Sequence, residues 1–227
     1  TRPLRAHLFA QLEPLIHGRT LDVGCGAGAL LIELPRPYGL DIDPALLRLA
    51  QQAAPQAILT QGDAHRLPYA DQSFDLAFCH FVLMWLAQPL QALQEMRRVV
   101  RPGGAVIALA EPDYGGRIDY PPPLAALGGW QETALQQQGA HTRLGRTLRF
   151  LFHQADLRQV TCGVLGGEWS QDPEASTDLE WQVLQADLAG CVEPGLLKYY
   201  RQIEENARQS GEHILFVPTF YALGYVP

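Results

Sequence analysis

Lysine is almost absent from this 227-residue chain: Lys198 is one of only 17 basic residues, set against 24 acidic ones. The net charge of −7 leaves no basic footprint, which counts against a DNA or RNA substrate. Long apolar runs are missing as well. No stretch approaches the ~18 residues of a membrane-spanning helix, and the opening residues show no basic-then-apolar signal pattern. The first residue is Thr1 rather than Met, so a few leading residues are expected to be absent. Cysteine is sparse: Cys25, Cys79, Cys162 and Cys191 form no C-x-x-C pair and no His-Cys cluster of metal spacing. The expectation is a cytoplasmic protein with reduced thiols, no bound metal, no nucleic acid and no membrane partner. The sequence carries no signal for oligomeric state.

Against these absences stand a 47% hydrophobic and an 18% charged fraction, those of a soluble globular chain. The length suits one domain, or one domain with insertions. The most informative stretch is Leu-Asp-Val-Gly-Cys-Gly-Ala-Gly-Ala-Leu, from Leu21 to Leu30. A β-leaning segment runs into glycines at alternate positions, Gly24, Gly26 and Gly28, where a ligand can approach the main chain without meeting a Cβ. Asp22 sits at the carboxyl end of that strand, where open α/β sheets bind ligands. Gly24-x-Gly26-x-x-Ala29 also fits the relaxed dinucleotide pattern, so this segment alone leaves a nicotinamide cofactor open.

Further acids follow at strand ends. Gly39-Leu40-Asp41-Ile42-Asp43-Pro44 closes a second short strand, and an ionised carboxylate at Asp41 offers two oxygens to a pair of ribose hydroxyls. A dehydrogenase would want the same acid. Gln61-Gly62-Asp63-Ala64-His65 closes a third strand, and Ser73 to His80 supplies a fourth, followed by Arg98-Val99-Val100-Arg101-Pro102-Gly103-Gly104. Taken in order, LDVGCGAG, GLDIDP, GDAHRLPYADQSFD and RVVRPGG make the chain resemble the class I S-adenosylmethionine-dependent methyltransferases, in particular the methyltransferase type 11-like group. The match runs from Leu21 to Gly104.

The resemblance implies S-adenosylmethionine as cofactor and S-adenosylhomocysteine as product. It implies a glycine cradle at Gly24, Gly26 and Gly28, with Asp22 ordering that loop or meeting the methionine ammonium. Asp41 is implied as ribose acceptor, and Asp63 as partner of the adenine amino group, with Ala64 offering a backbone amide to the ring. Ile42 and Leu67 are candidates to flank the purine, or ordinary core. Cys79 ends the fourth strand beside the methionine portion. His80 follows it and is the candidate catalytic residue, a general base that titrates near neutrality; its alternative is to line the site with backbone alone. Methyl transfer is an in-line displacement that asks chiefly for alignment and water exclusion, so a strong cofactor signature can stand without an obvious catalytic constellation. The function implied is transfer of a methyl group to O, N or C of a small-molecule acceptor. A non-catalytic S-adenosylmethionine-binding or regulatory protein is the alternative, and a nicotinamide dehydrogenase a third.

The expected fold is a Rossmann-like α/β domain over 1–227: a seven-stranded, mostly parallel sheet with an antiparallel last strand and helices on both faces. A helical cap over 1–19 (Leu4 to Ile16) precedes the cofactor-binding half, 20–111. Strands are expected at Thr20–Gly24, Tyr38–Ile42, Ala57–Thr60, Phe74–Cys79, Ala105–Ala110 and Gln159–Leu165, with a β run at His213–Tyr225 broken by Pro218. Helices are expected at Ala27–Leu34, after Asp43-Pro44 to Ala53, and at Pro89–Val100, Arg143–Ala155, Glu174–Ala189 and Pro194–Gln209. Substrate-lid insertions are expected at 112–142, irregular because of Pro112, Pro121, Pro122 and Pro123, and at 168–211. Glu111, Asp113, Tyr114, Arg117 and Tyr120 are candidates to bind a polar substrate or to solvate a loop. Phe81, Met84 and Trp85 are candidates for core or substrate contact. The aromatics Tyr114, Tyr120, Trp130 and Trp169 fit a partly apolar acceptor.

Overall fold

Asp43 and Pro44 show how locally the first half of the chain is specified. Asp43 is extended, its Oδ1 accepts from the Ala45 amide at 2.7 Å, and Pro44 occupies the first turn of the helix Pro44–Ala53 (α2). A side-chain cap of this kind stabilises a helix by about 1 kcal/mol. A computed structural model describes residues 8–166 and 174–227, the side chains of the second stretch from Glu180 onward. The first part of the expected cap helix, Leu4 to His7, and Trp169 lie outside the described residues. Residues 8–11 are helical, and a short helix Glu13–Ile16 (α1) follows.

The strands of the first half are β1 (Thr20–Val23), β2 (Pro37–Asp41), β3 (Ile58–Gln61), β4 (Phe74–Cys79) and β5 (Val100–Pro112). With β7 (Arg158–Leu165) and β9 (Thr219–Tyr225) they form one seven-stranded sheet, ordered β3-β2-β1-β4-β5-β9-β7. Strands β3 to β5 run parallel, and β9 is antiparallel to both of its neighbours. This is the expected Rossmann-like arrangement, with the antiparallel strand inserted next to last. The order reverses at β1, and ligands of open α/β sheets bind at the carboxyl ends of the strands around such a switch point. Ala105 to Pro112 is buried without a break, the pattern of a strand covered on both faces. Leu76, Phe78, Ile107 and Leu109 form the core there, and Phe9 packs edge-to-face on Phe78 with ring centroids 5.8 Å apart. The helix Pro89–Val99 (α3) buries Ala92, Leu93, Met96 and Val99, and leads into β5.

The expected helix Ala27–Leu34 is not formed. A single 3-10 turn, Leu31–Glu33, stands in its place. Gly24, Gly26 and Gly28 have left-handed φ of 75°, 53° and 83°, and Gly28 falls within the expected helix, where a right-handed turn cannot include it. Pro35 and Pro37 close the segment from the other side. Apolar spacing therefore misleads where glycine conformation decides.

The chain divides into two compact units, Thr1–Pro112 with Leu144–Leu165 and Thr219–Pro227, and Asp113–Arg143 with Gly166–Pro218. In the first, the expected helix Arg143–Ala155 begins instead as a 3-10 turn, Gly145–Thr147, before Leu148–Gln154 (α5). In the second, the stretch expected to be irregular contains a strand, Ile118–Tyr120 (β6), and a helix, Ala125–Gln137 (α4). The prolines end at Pro123, just before the helix. Leu124, Leu127 and Ala134 then find a core with Trp181 and Leu184 of the helix Glu174–Asp187 (α6), Leu188 just after it, and Leu197 of the helix Pro194–Ser210 (α7). The β run at the end of the chain is two strands: Ile214–Phe216 (β8) pairs with β6, and β9 enters the large sheet. No helix among the described residues is long and apolar enough to cross a membrane.

Candidate cofactor site

Asp41 ends β2 with its carboxylate occupied on both oxygens by main-chain donors. Oδ2 accepts from the Gly26 amide at 2.8 Å and Oδ1 from the Asp43 amide at 2.9 Å. The Gly24 and Cys25 amides donate to the carbonyl of Leu40 at 2.7 and 2.9 Å. The glycine loop is thus fastened to the end of β2 by three hydrogen bonds, one of them charge-assisted. Two glycines differ in what surrounds them. A Cβ at Gly24 would lie 2.6 Å from Cγ2 of Val82, whereas a Cβ at Gly26 would meet nothing within 4 Å. Gly24 is needed for packing; Gly26 borders open space.

Asp22 lies on neighbouring β1 and is 2% exposed. Its Oδ1 is buried with no hydrogen-bond partner among the described residues. Burial, and then the negative charge of Asp41, push its carboxyl well above the usual range. Buried polar atoms are almost always satisfied, so an orphaned carboxylate oxygen beside an open glycine loop suits a cationic or donor group from a ligand. These two features fit the methionine portion of S-adenosylmethionine, whose ammonium Asp22 would meet and whose chain would pass Gly26.

Asp63 begins the loop after β3 and its side chain is 53% exposed. Its Oδ1 accepts from the His65 amide at 2.8 Å and lies 2.7 Å from His65 Nδ1. The backbone bond from His65 is the main reason its carboxyl is held below the ordinary value. Ile42 is 68% exposed directly after Asp41, an apolar face free for a purine, whereas Leu67 at 3% exposure belongs to the core. Ala64 is buried. The loop after Asp63 is pinned from a distance: Arg98 donates to the carbonyls of Leu67 and Tyr69 at 3.0 and 2.9 Å and pairs with Glu95 and Asp71 at 2.7 Å. Two motifs that are separate in sequence, GDAHRLPYADQSFD and RVVRPGG, are therefore one structural device.

The loop after β4 carries His80, half-buried, with its ring edge-to-face on Phe81 at 4.8 Å. Phe81 has a left-handed φ of 58°, rare for a bulky residue. Its conformation is held by a bond from its amide to the carbonyl of Ala110 at 2.9 Å and by Glu111. Glu111 is fully buried at the end of β5, and its carboxylate accepts from the amides of Val82, Leu83 and Met84 at 3.0, 3.0 and 3.1 Å. Burial pushes its carboxyl up to about 7. The sequence offered Glu111 as a substrate contact or a loop-solvating acid; it is a buried loop anchor, and its isolation at the end of an apolar strand was the signal. Met84 is core, while Phe81 and Trp85 are 39% and 46% exposed. Cys79 is buried, with its thiol raised well above its ordinary value by burial.

The other substrate candidates lie in the second unit. Arg117 grips Asp119 through Nε and Nη2, with both side chains under a tenth exposed, and also donates to Gln131. Gln131 in turn donates to Asp187 at 2.6 Å. Tyr114 is raised to about 12, chiefly by burial, and Asp113 is buried. Arg117 and Asp119 serve each other, and of the five candidates Tyr120 alone is exposed, at 45%. No group of three or more His, Cys, Asp or Glu side chains among the described residues is placed to hold a metal ion.

The fold and these strand-end acids define a class, and comparison with known proteins agrees. The profile of the "Methyltransferase domain" family matches residues 21–108. A demethylmenaquinone methyltransferase of Lysinibacillus sphaericus is 31% identical over 172 residues, covering 66% of this chain and 74% of that protein. One from Deinococcus radiodurans is 39% identical over 132 residues, covering 53% of this chain and 51% of that protein. The match spans about half or less of the length of several curated relatives, the Deinococcus protein among them. A solved S-adenosylmethionine-dependent methyltransferase of Thermotoga maritima, described as a possible histamine N-methyltransferase, superposes with a TM-score of 0.62 at 16% identity, covering 99% of this chain and 89% of that one. This chain belongs to the class I S-adenosylmethionine-dependent methyltransferases.

Proposed function

We propose that the protein transfers a methyl group from S-adenosylmethionine to a small-molecule acceptor. The observation that carries this reading is the pairing of Asp22's buried, unpartnered oxygen with the open space at Gly26, on a loop locked to Asp41. Asp22 would hold the methionine ammonium, Asp41 the ribose and Asp63 the adenine amino group, with Ile42 against the purine. Bound cofactor supplies an electrophilic methyl on a sulfonium, a good leaving group. The chain's own part is alignment. Glu111 fixes the loop that follows β4, and His80 on that loop takes the proton of a hydroxyl or amine acceptor.

The relatives act on acceptors that their names give: a demethylated menaquinone, and the malonyl group of an acyl carrier protein. Small, partly apolar acceptors of these kinds suit the acidic charge better than a nucleic acid does. Acceptor choice is assigned to the second unit, Asp113–Arg143 with Gly166–Pro218, which falls outside the family match at 21–108. A reducing compartment suits the four cysteines, all free thiols. The test is transfer of label from methyl-labelled donor across a panel of quinols, carboxylate thioesters and amines, with His80→Asn in parallel. Labelled product, and a His80→Asn variant that keeps cofactor affinity but loses rate, is the expected result. Tight S-adenosylhomocysteine binding with no product from any acceptor class would favour a non-catalytic binding protein.

A further inference from the structure

We infer that His65 is a positioning residue for the cofactor site: it holds Asp63 in the orientation that recognises the adenine amino group. The inference rests on the reading of Asp63 as the adenine partner.

The ring's tautomer follows from its neighbours. The Gln88 amide lies 3.3 Å from His65 Nε2. A backbone N–H can only donate, so Nε2 is the acceptor and the proton of the neutral ring is on Nδ1. Nδ1 lies 2.7 Å from Asp63 Oδ1 and donates to it. Gln88 is the residue before the first turn of α3, and Gln91 in that turn donates through Nε2 to the His65 carbonyl at 3.0 Å. His65 is therefore clamped at ring and backbone onto α3, and it passes that rigidity to an acid on an otherwise exposed loop.

The consequence for Asp63 is an asymmetric carboxylate. Oδ1 is saturated by the amide and ring of His65, and Oδ2 has no partner among the described residues. The side chain is half-exposed, and Oδ2, outside both bonds to His65, is available as a fixed acceptor. An exocyclic amine at the purine 6-position donates to such an oxygen; a 6-oxo group repels it. A surface aspartate free to rotate would lose rotamer entropy on binding. His65 removes that loss in advance, and with it sharpens discrimination between adenine and a 6-oxopurine.

The test is calorimetric titration of the wild-type chain and of Asp63→Ala, His65→Ala and His65→Asn with S-adenosylhomocysteine and its 6-oxo analogue, S-inosylhomocysteine. Circular dichroism checks each fold. Wild type prefers the adenine ligand, and His65→Ala loses about fivefold on it, the scale of ordering one side chain on binding, with little change on the 6-oxo ligand. His65→Asn, whose Nδ2 can stand where the ring Nδ1 stands, regains most of the affinity. His65→Ala with wild-type affinity, or with equal losses on both ligands, overturns the positioning role. Asp63→Ala with wild-type affinity overturns the adenine assignment itself, a distinct failure that takes the role of His65 with it.

Discussion

The amide of Gly26 donates to Oδ2 of Asp41 across 2.8 Å, joining a glycine loop to the end of the next strand. Asp41 thus shapes the cradle as well as facing it. Asp41→Ala should weaken S-adenosylhomocysteine binding by at least the 1.5–3 kcal/mol, roughly, of hydrogen bonds to a charged group. It should also speed amide hydrogen exchange at Gly26. A smaller loss of affinity with the Gly26 amide still protected would mean that the loop is held by other means.

Gly24 and Gly26 should respond oppositely to substitution. Gly26→Ala places a methyl group in open space at a backbone strain of about 1–2 kcal/mol, so it should fold and lose cofactor affinity. Gly24→Val drives its side chain into Val82 and should lower the unfolding midpoint first. Thermal melts paired with titration separate the two. Wild-type affinity in Gly26→Ala would remove the loop from the site.

The elements that were legible in the sequence are those set by near neighbours. Phe74–Cys79 and the Asp43-Pro44 helix start follow from apolar runs, a cap residue and a proline, and the structure has both. The candidate acids Asp22, Asp41 and Asp63 stand at strand ends, where a parallel sheet gathers them. Asp63 is held by His65 only two residues on, but the contacts that hold the glycine loop to Asp41 and the loop after β4 to Glu111 were not legible. Asp41 reaches its donor 15 residues back, and Glu111 reaches amides 27, 28 and 29 residues earlier in the chain. Such pairings depend on strand order, and no local pattern announces them. The helix expected at Ala27–Leu34 fails because its apolar spacing is real but Gly28, in its first turn, is left-handed.

Asp22 is costly to the empty protein, since burial and Asp41 both oppose its charge. Asp22→Asn should therefore raise the melting midpoint without ligand while weakening S-adenosylhomocysteine binding by roughly tenfold. Differential scanning calorimetry with and without ligand measures both. A variant less stable than wild type would make Asp22 a structural carboxylate.

Glu111 gives a pH signature of known sign. Its carboxyl is raised from 4.5 to about 7 by burial, so the folded state binds the proton more tightly than the unfolded state. Its contribution to stability is present below about pH 4.5 and is lost as pH rises through about 7, a change on the order of 3 kcal/mol. Other groups titrate in this window, notably His213, lowered to about 4 chiefly by burial. The difference between wild type and Glu111→Gln isolates the one residue. Reversible unfolding from pH 8 to 4.5 should show wild type gaining on the variant as pH falls. A flat difference curve would contradict the buried, proton-binding carboxyl.

The most direct measurement is a crystal structure of the chain with S-adenosylhomocysteine. The expected result has the ammonium on Asp22, the ribose hydroxyls on Asp41, the adenine amino group on Oδ2 of Asp63 and the methionine chain passing Gly26 without displacing it. A ligand bound elsewhere, or one whose adenine and ammonium touch neither Asp63 nor Asp22, would contradict the assignment of this site.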